Sequence, residues 1–217
     1  MANPALPFFT QAQLDVAQKT VLLRVDFNVP VSANGRILSD ARIKSHLPTL
    51  RDLLSRGARV VVVSHLGRPE GPSPQLSLKR VAQRLGDLLR QPVQFSPELV
   101  GPQVQARKKA LQPGEVLVLE NTRFCSGEEA NDATFAKQLA LGCQVYLNDA
   151  FASCHRAHAS THGVIDFIPQ FGIGLLMAKE MSALDKIMRR PAKPLAVVIG
   201  GAKISSKFNI LKQFVQM

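Results

Sequence analysis

Short apolar runs alternate along this chain with longer segments in which apolar residues recur every three to four positions. The runs occupy residues 21–25, 59–65, 93–95, 116–119, 144–147 and 195–199. Branched and apolar side chains that follow one another without polar interruption are typical of parallel strands covered on both faces. The pattern therefore predicts a buried strand at each run.

The segments between the runs have the periodicity of amphipathic helices. The first predicted helix extends from a candidate cap at Asp40 to about Arg56, and Pro48 is a candidate kink within it. The others cover about residues 78–89, 104–110, 135–141, 175–190 and 203 onward. Strands and helices that alternate across short connections predict an α/β fold, a Rossmann-like parallel sheet with helices on both faces in three α/β/α layers.

Polar residues follow the first run directly. Arg24, Asp26 and Asn28 occupy alternate positions, so they share one face if the strand extends that far, and Pro30 must end the strand. A cation, a carboxylate and an amide then converge at a carboxyl end, where open α/β sheets bind ligands. A solvent-facing ion pair between Arg24 and Asp26 is the alternative.

Later strands end in polar groups as well, at 65–68, 121–123 and 148–149. In a parallel sheet these ends lie on one edge, so arginines far apart in sequence become neighbours. The arginines in question are Arg24, Arg42, Arg68, Arg123 and Arg156. Guanidinium groups gathered in this way repel one another unless an anion lies between them, and their planar forks suit phosphate or carboxylate. The alternative is that each is a solvated surface charge.

The charge balance also indicates an anionic partner. The chain has 217 residues, a net charge of +11, 46% hydrophobic residues and 20% charged residues. Nucleic acid is one candidate, but aromatic residues make up only 6%, with one Tyr and no Trp, which offers little for base stacking. Single arginines at strand ends favour a compact anion over a polymer.

Neither a membrane nor an oxidising compartment is indicated by the sequence. No apolar run approaches the roughly 18 residues that span a bilayer, and the first ten residues do not resemble a signal peptide. The three cysteines, Cys125, Cys143 and Cys154, form no Cys-x-x-Cys pair and are expected to be free thiols. We therefore expect a cytoplasmic protein.

Two further motifs leave alternatives open. His155, His158 and His162 could hold a metal, but Arg156 would place a positive charge beside it, so we predict no metal there. The segment 199–207 combines a strand end, Gly200-Gly201 and a helix start, which is either a phosphate-binding turn or an ordinary βα turn. It lacks the spacing of a Walker A loop.

Five segments, in order, give the chain a family resemblance. They are Arg-Val-Asp-Phe-Asn-Val-Pro at 24–30, Ser-His-Leu-Gly-Arg-Pro at 64–69, Leu-Glu-Asn-Thr-Arg-Phe at 119–124, Asn-Asp-Ala-Phe at 148–151 with His-Arg-Ala-His at 155–158, and Gly-Gly-Ala-Lys at 200–203. Together they resemble the phosphoglycerate kinases. The resemblance covers the whole chain, but only about the first half of the family.

The resemblance implies transfer of phosphate between 1,3-bisphosphoglycerate and ADP, which gives 3-phosphoglycerate and ATP. It assigns catalytic roles to Arg42 and Lys203. The substrate-binding residues would be Arg24, Asp26, Phe27, Asn28, Arg42, His65, Leu66, Gly67, Arg68, Arg123 and Arg156. The nucleotide would contact Gly200, Gly201, Lys203 and Lys207. Mg²⁺ would arrive with ATP or ADP, and its protein ligand would lie in the second half of the family.

The resemblance also suggests a division of the chain. Residues 1–174 would form a phosphoglycerate-binding domain, 175–193 an interdomain hinge helix, and 194–217 the first strand and helix of a nucleotide-binding domain that is otherwise absent. We therefore expect a truncated kinase that binds 3-phosphoglycerate, binds ATP or ADP weakly at most, and needs a complementary half for turnover. The alternatives are an inactive phosphoglycerate-binding module and a basic nucleic-acid-binding protein. Neither a membrane nor a nucleic acid is the expected partner.

Overall fold

The fold is taken from a computed structural model, which describes residues 9–189, 192–196 and 198. Its six strands are β1 (Thr20–Arg24), β2 (Arg59–Val63), β3 (Val93–Phe95), β4 (Val116–Val118), β5 (Val145–Asn148) and β6 (Gln170–Ile173). The six α-helices of the described ranges are α1 (Ala41–Ser55), α2 (Lys79–Leu89), α3 (Pro102–Ala110), α4 (Ser126–Glu129), α5 (Ala133–Ala140) and α6 (Leu175–Arg189).

All neighbouring strands pair in parallel, in the order β3-β4-β2-β1-β5-β6. Alternate side chains of each central strand enter different cores, as the period of two requires. Val21 and Leu23 pack with residues of α1 and α2, whereas Leu22 packs with residues of α3 and α5. Helices therefore cover both faces of the sheet, and the predicted three-layer α/β/α fold is confirmed.

The sequence pattern missed strand β6. Gln170 and Phe171 are exposed, and Gly172 interrupts the apolar pattern that identifies a strand. Tertiary packing defines this strand instead, because Ile173 donates a backbone hydrogen bond to the Phe9 carbonyl at 2.9 Å, and a Cβ on Gly172 would clash with the same oxygen. The segment before β1 therefore covers the sheet edge.

The prediction for the start of α1 was right in position and wrong in chemistry. Asp40 occupies the cap position, but its side chain accepts no hydrogen bond from the helix backbone. Its carboxylate lies 2.9 Å from Lys44 Nζ and 2.6 Å from Arg84 Nη2, and these contacts lower the pKa of Asp40. Two cations outcompete the neutral amides for this carboxylate. The helix continues through Pro48 to Ser55.

Several predictions fall on residues that the structure does not describe. The helix from residue 203, together with Gly200, Gly201, Lys203 and Lys207, lies outside the described ranges, as does part of the predicted strand 195–199. The chain divides into two compact units, residues 1–180 and 181–217, and the site described below belongs to the first. No helix in the described ranges is long and apolar enough to cross a membrane.

Candidate anion-binding site

The carboxyl ends of four neighbouring strands, β4, β2, β1 and β5, carry the polar motifs. The register aligns these ends, since Arg24 at the end of β1 lies opposite both Val63 of β2 and Asn148 of β5. The segments after these strands therefore meet at one edge of the sheet, as the sequence pattern predicted. They enclose a pocket of about 350 Å³.

Most of the site residues suggested by the resemblance line this pocket. The lining comprises Asp26, Asn28, Arg42, His65, Gly67, Arg68, Arg123, Ala152, Ser153 and Arg156. Four guanidinium groups thus face a single carboxylate, which leaves an excess of positive charge suited to a small polyanion. Ala152 and Ser153 are small residues that the sequence reasoning did not assign to the site.

Three of the suggested substrate-binding residues lie beneath the pocket rather than in its wall. Arg24, Phe27 and Leu66 are buried, with no more than 1% of each exposed. The backbone N–H of Phe27 donates to Ser64 Oγ at 2.9 Å. These residues lie behind the lining, and their roles toward a ligand stay predictions.

The contact with Arg24 determines which nitrogen of His65 carries the ring proton. Arg24 Nη2 lies 2.9 Å from His65 Nδ1, and a guanidinium can only donate, so Nδ1 accepts and the ring proton is on Nε2. Burial, followed by the charges of Arg24, Arg123 and Arg156, lowers the pKa of His65 from 6.5 to about 2. His65 is therefore neutral at physiological pH and offers Nε2–H as its remaining donor.

A buried carboxylate balances the charge of Arg24 through a hydroxyl. Arg24 Nε donates to Ser160 Oγ at 2.9 Å, and Ser160 Oγ donates in turn to Glu128 Oε1 at 2.6 Å. Glu128 also accepts from the Ser160 backbone N–H at 3.0 Å, and it is fully buried. The sequence reasoning missed Glu128 and Ser160, because their spacing of 32 residues gives no local signal.

Asp26 pairs with Arg42 and not with Arg24, which corrects the sequence alternative. Strand β1 ends at Arg24, so the alternating positions beyond it do not share a strand face. Arg42 Nη1 on α1 contacts Asp26 Oδ2, while Asp26 Oδ1 accepts from the Asn28 backbone N–H at 3.2 Å. Arg24 turns inward to His65 and Ser160 instead.

The loop after β2 is held against the ends of β1 and β4. Gly67, at a φ of 65°, donates its N–H to Asn28 Oδ1 at 2.8 Å. Asn121 accepts from the Leu66 N–H at 3.1 Å and donates to the Leu66 carbonyl at 2.8 Å. These contacts place Arg68 at the rim of the pocket. Asn121, which belongs to the motif but was not assigned a site role, is a clamp for this loop.

Arg123 joins the same loop to α4. Its Nη1 donates to the Gly67 carbonyl. Its Nε lies 2.9 Å from Glu129 Oε1, which is close enough for an ion pair. The angles between the two groups do not fit a hydrogen bond. Burial lowers the pKa of Arg123, an effect that Glu129 opposes and that Arg156 reinforces. Its remaining polar edge is thus available to an anion in the pocket.

None of His155, His158, His162 and Cys154 lines this pocket, although Arg156 of the same motif does. His158 lies 4.0 Å from Glu128, and burial lowers the pKa of His158. His162 Nδ1 lies 3.4 Å from Asn131 Nδ2. Burial raises the pKa of Cys154, which does not favour a reactive thiolate. Within the described ranges, no group of three or more His, Cys, Asp and Glu side chains could hold a metal ion.

Comparisons with known proteins agree with this architecture. A family model described as phosphoglycerate kinase matches residues 11–217. The phosphoglycerate kinases of Geotalea daltonii and Thermosynechococcus vestitus are each 48% identical over 202 residues, which cover 93% of this chain and 51% and 50% of those proteins. The chain thus spans about half the length of the curated relatives it matches.

Two solved structures are similar as well. The phosphoglycerate kinase from Pyrococcus horikoshii gives a TM-score of 0.87 at 34% identity, with 96% of this chain and 52% of that chain covered. The phosphoglycerate kinase from Coxiella burnetii gives 0.84 at 38% identity, with 95% and 51% covered. A family match over nearly the whole chain, and a shared fold at these identities, lead to one conclusion: the chain belongs to the phosphoglycerate kinase family.

Proposed function

We propose that this chain provides the phosphoglycerate-binding part of a phosphoglycerate kinase. The reaction moves the acyl phosphate of 1,3-bisphosphoglycerate to ADP, which leaves 3-phosphoglycerate and forms ATP. Family membership supports this proposal, and the observation that carries it is the pocket in which four arginines face one carboxylate at the strand ends. The proposal does not depend on residues 199–217.

The charge of 3-phosphoglycerate fits this pocket. One carboxylate and one phosphate give it a charge of about −2.5 to −3 at pH 7. Arg42, Arg68, Arg123 and Arg156 contribute four positive charges. Asp26, which pairs with Arg42, and Glu129, which lies 2.9 Å from Arg123 Nε outside the lining, contribute two negative charges. The ligand would offset the remaining positive charge, and clustered guanidinium groups then cease to repel one another.

The chemistry of the lining suggests how the ligand is oriented. Following the resemblance, we assign the phosphate to His65 N–H, Arg68, Arg123 and Arg156, which can donate to its oxygens. Asp26 and Asn28 form a more polar, less cationic side, where a ligand hydroxyl could donate to the Asp26 carboxylate. Arg42, whose side chain is 48% exposed, would meet the carboxylate end at which the phosphoryl group leaves.

Catalysis in this proposal consists of positioning and charge neutralisation. Phosphoryl transfer requires donor and acceptor in line and a metal on the nucleotide phosphates. The described residues do not fit a resident magnesium site, because they contain no carboxylate cluster and Asp26 is occupied by Arg42. We therefore assign Mg²⁺ to the nucleotide. The roles of Gly200, Gly201, Lys203 and Lys207 toward it remain predictions from the resemblance.

Calorimetry with 3-phosphoglycerate tests the binding step without nucleotide. We expect binding of 3-phosphoglycerate to the 217-residue chain, and weaker binding of 2-phosphoglycerate, which has the same charge and a different spacing. No heat at millimolar 3-phosphoglycerate would overturn the proposal. Equal affinity for both isomers would indicate a nonspecific anion site. Competition by an oligonucleotide would favour the nucleic-acid alternative.

A coupled assay tests turnover. We expect the 217 residues alone to be inactive and activity to appear when the second half of a family member is supplied, in the same chain or as a separate one. Binding without activity in either form would favour the alternative of an inactive binding module. Normal turnover by the 217 residues alone would show that groups outside them are not needed.

A further inference from the structure

His46 is a buried histidine that no part of the proposed mechanism uses. It lies on α1, one turn after Arg42, and is 1% exposed. Its ring packs edge-on against Phe27, with centroids 5.7 Å apart and planes at 73°. A polar ring that is buried and fixed in this way requires partners for both nitrogens.

Both partners are present, and they belong to different parts of the first unit. His46 Nε2 accepts from the Asp26 backbone N–H at 3.0 Å, so the ring proton is on Nδ1. His46 Nδ1 then donates to Asp149 Oδ2 at 2.8 Å. The ring therefore links the two residues: it accepts a hydrogen bond from the Asp26 N–H at one nitrogen and donates one to the Asp149 carboxylate at the other.

Asp149 holds the start of α6. Its other oxygen, Oδ1, accepts from the backbone N–H groups of Leu176 at 2.9 Å and Met177 at 3.1 Å. Thr49 Oγ1, from α1, accepts from the Leu175 N–H at 3.2 Å. A carboxylate at a helix amino terminus is favoured by the exposed amides and the helix dipole. Asp149 thus joins His46 to the first turn of α6.

Asp26 is held from two sides by residues one helical turn apart. Arg42 contacts its carboxylate, and His46 accepts from its backbone N–H. The same two side chains also line a second cavity of about 250 Å³ that includes Asp149 and Leu176. The Asp26–Arg42 pair therefore stands between the anion pocket and the start of α6.

We infer that His46 is a positioning residue: its Nε2 fixes the Asp26 backbone, and through it the Asp26–Arg42 pair, while Asp149 holds the ring in the tautomer that accepts from Asp26. The inference rests on the proposed function, because only a ligand in the anion pocket makes the position of the Asp26–Arg42 pair matter for binding. Loss of the His46–Asp26 contact would free the Asp26 backbone and misplace the carboxylate in the pocket. Loss of the His46–Asp149 contact would leave Asp26 in place.

Two substitutions separate the halves of this bridge. In His46→Asn the side-chain amide occupies the place of Nδ1, so it keeps a donor for Asp149 and leaves the Asp26 N–H without a partner. In His46→Gln the longer side chain can place its carbonyl oxygen where Nε2 was, so it keeps an acceptor for Asp26 and loses Asp149. His162→Asn, at an exposed histidine that does not line the pocket, is the matched control.

The affinity of the 217-residue chain for 3-phosphoglycerate is the first readout. We expect His46→Asn to weaken binding about five- to tenfold, the effect of one net hydrogen bond. We expect His46→Gln to restore most of it and His162→Asn to match the parent. If the Asn and Gln variants weakened 3-phosphoglycerate binding equally, in proportion to their loss of unfolding free energy, His46 would have only a structural role and the inference would be overturned.

Nuclear magnetic resonance provides readouts that need no ligand. In the parent chain, ¹⁵N shifts of His46 should show the Nδ1–H tautomer, and the Asp26 amide should exchange slowly with solvent. That amide should exchange faster in His46→Asn and remain protected in His46→Gln. An Nε2–H tautomer, or an unprotected Asp26 amide in the parent, would overturn the inference even if 3-phosphoglycerate does not bind. Failure of the parent to bind would count only against the proposed function.

Discussion

The Nη2 atom of Arg24 lies 2.9 Å from Nδ1 of His65, so a cation fixes this imidazole in its neutral form. Protonation of Nδ1 would place two positive groups in contact inside the protein. Burial, reinforced by the charge of Arg24, lowers the pKa of His65 from 6.5 to about 2. This relationship makes a prediction about how stability depends on pH.

Between pH 6.5 and about 2 the unfolded chain binds a proton at this histidine and the folded chain does not. The contribution of His65 to stability is therefore fully present above pH 6.5 and is lost as the pH falls below it. We expect the parent chain to lose about 2 kcal/mol more than a His65→Gln variant between pH 7.5 and 5.0. Urea unfolding at each pH measures the difference, and parallel curves for the two proteins would contradict the prediction.

The arginines of the pocket should each contribute to ligand binding. Replacing Arg68, Arg123 or Arg156 by Ala should weaken 3-phosphoglycerate binding by about 1.5–3 kcal/mol, the scale of a hydrogen bond to a charged group. Arg107→Ala, at an exposed position on α3, removes the same charge away from the pocket and should leave affinity unchanged. Calorimetry at two salt concentrations measures both effects. Unchanged affinity and salt dependence in all three pocket variants would refute the site assignment.

Gly67 should matter for binding beyond its effect on the backbone. Gly67 and Gly57 have φ angles of 65° and 73°, so the backbone strain of an Ala at either position should cost about 1–2 kcal/mol of unfolding free energy. At Gly67 the added Cβ would also lie 2.9 Å from Leu76 Cδ2, so that the Leu76 side chain must shift, whereas it would meet nothing within 4 Å at Gly57. Of the two, only Gly67 donates its N–H to Asn28 Oδ1 and accepts at its carbonyl from Arg123 Nη1. Gly67→Ala should therefore also weaken 3-phosphoglycerate binding, whereas Gly57→Ala should not. Equal affinities for the two variants would show that the loop does not shape the pocket.

Glu128 should stabilise the fold through its charge. Glu128→Gln keeps the shape but removes the carboxylate that supports Ser160 and balances Arg24. We expect a loss of about 1.5–3 kcal/mol in the free energy of unfolding, because charged hydrogen bonds are replaced inside the protein. Glu98→Gln, at a partly exposed position, is the control and should change little. A Glu128→Gln variant as stable as the parent would mean that Arg24 is neutralised elsewhere.

The arrangement of strands and helices was largely determined by the sequence. The uninterrupted valines at 60–63 indicate a strand buried on both faces, and the repeating apolar positions indicate helices with one buried face. Together they predict a parallel sheet that is covered by helices on both faces. The same pattern places Asn28, His65 and Arg123 within a few residues of strand ends, and Arg156 in the longer segment that follows β5. Their convergence on one edge follows from parallel pairing alone, which is why most of the pocket could be predicted.

Tertiary structure decided which polar groups are partners. The sequence suggested an ion pair between Asp26 and Arg24 because they are two positions apart. The strand ends at Arg24, however, and Arg42 on α1 pairs with Asp26 instead. The bonds from Asp149 to His46, and from Glu128 to Ser160, join residues 103 and 32 positions apart. No local sequence pattern identifies such pairs. They form because a buried polar group without a hydrogen-bond partner costs free energy, and only the folded chain determines which groups are buried together.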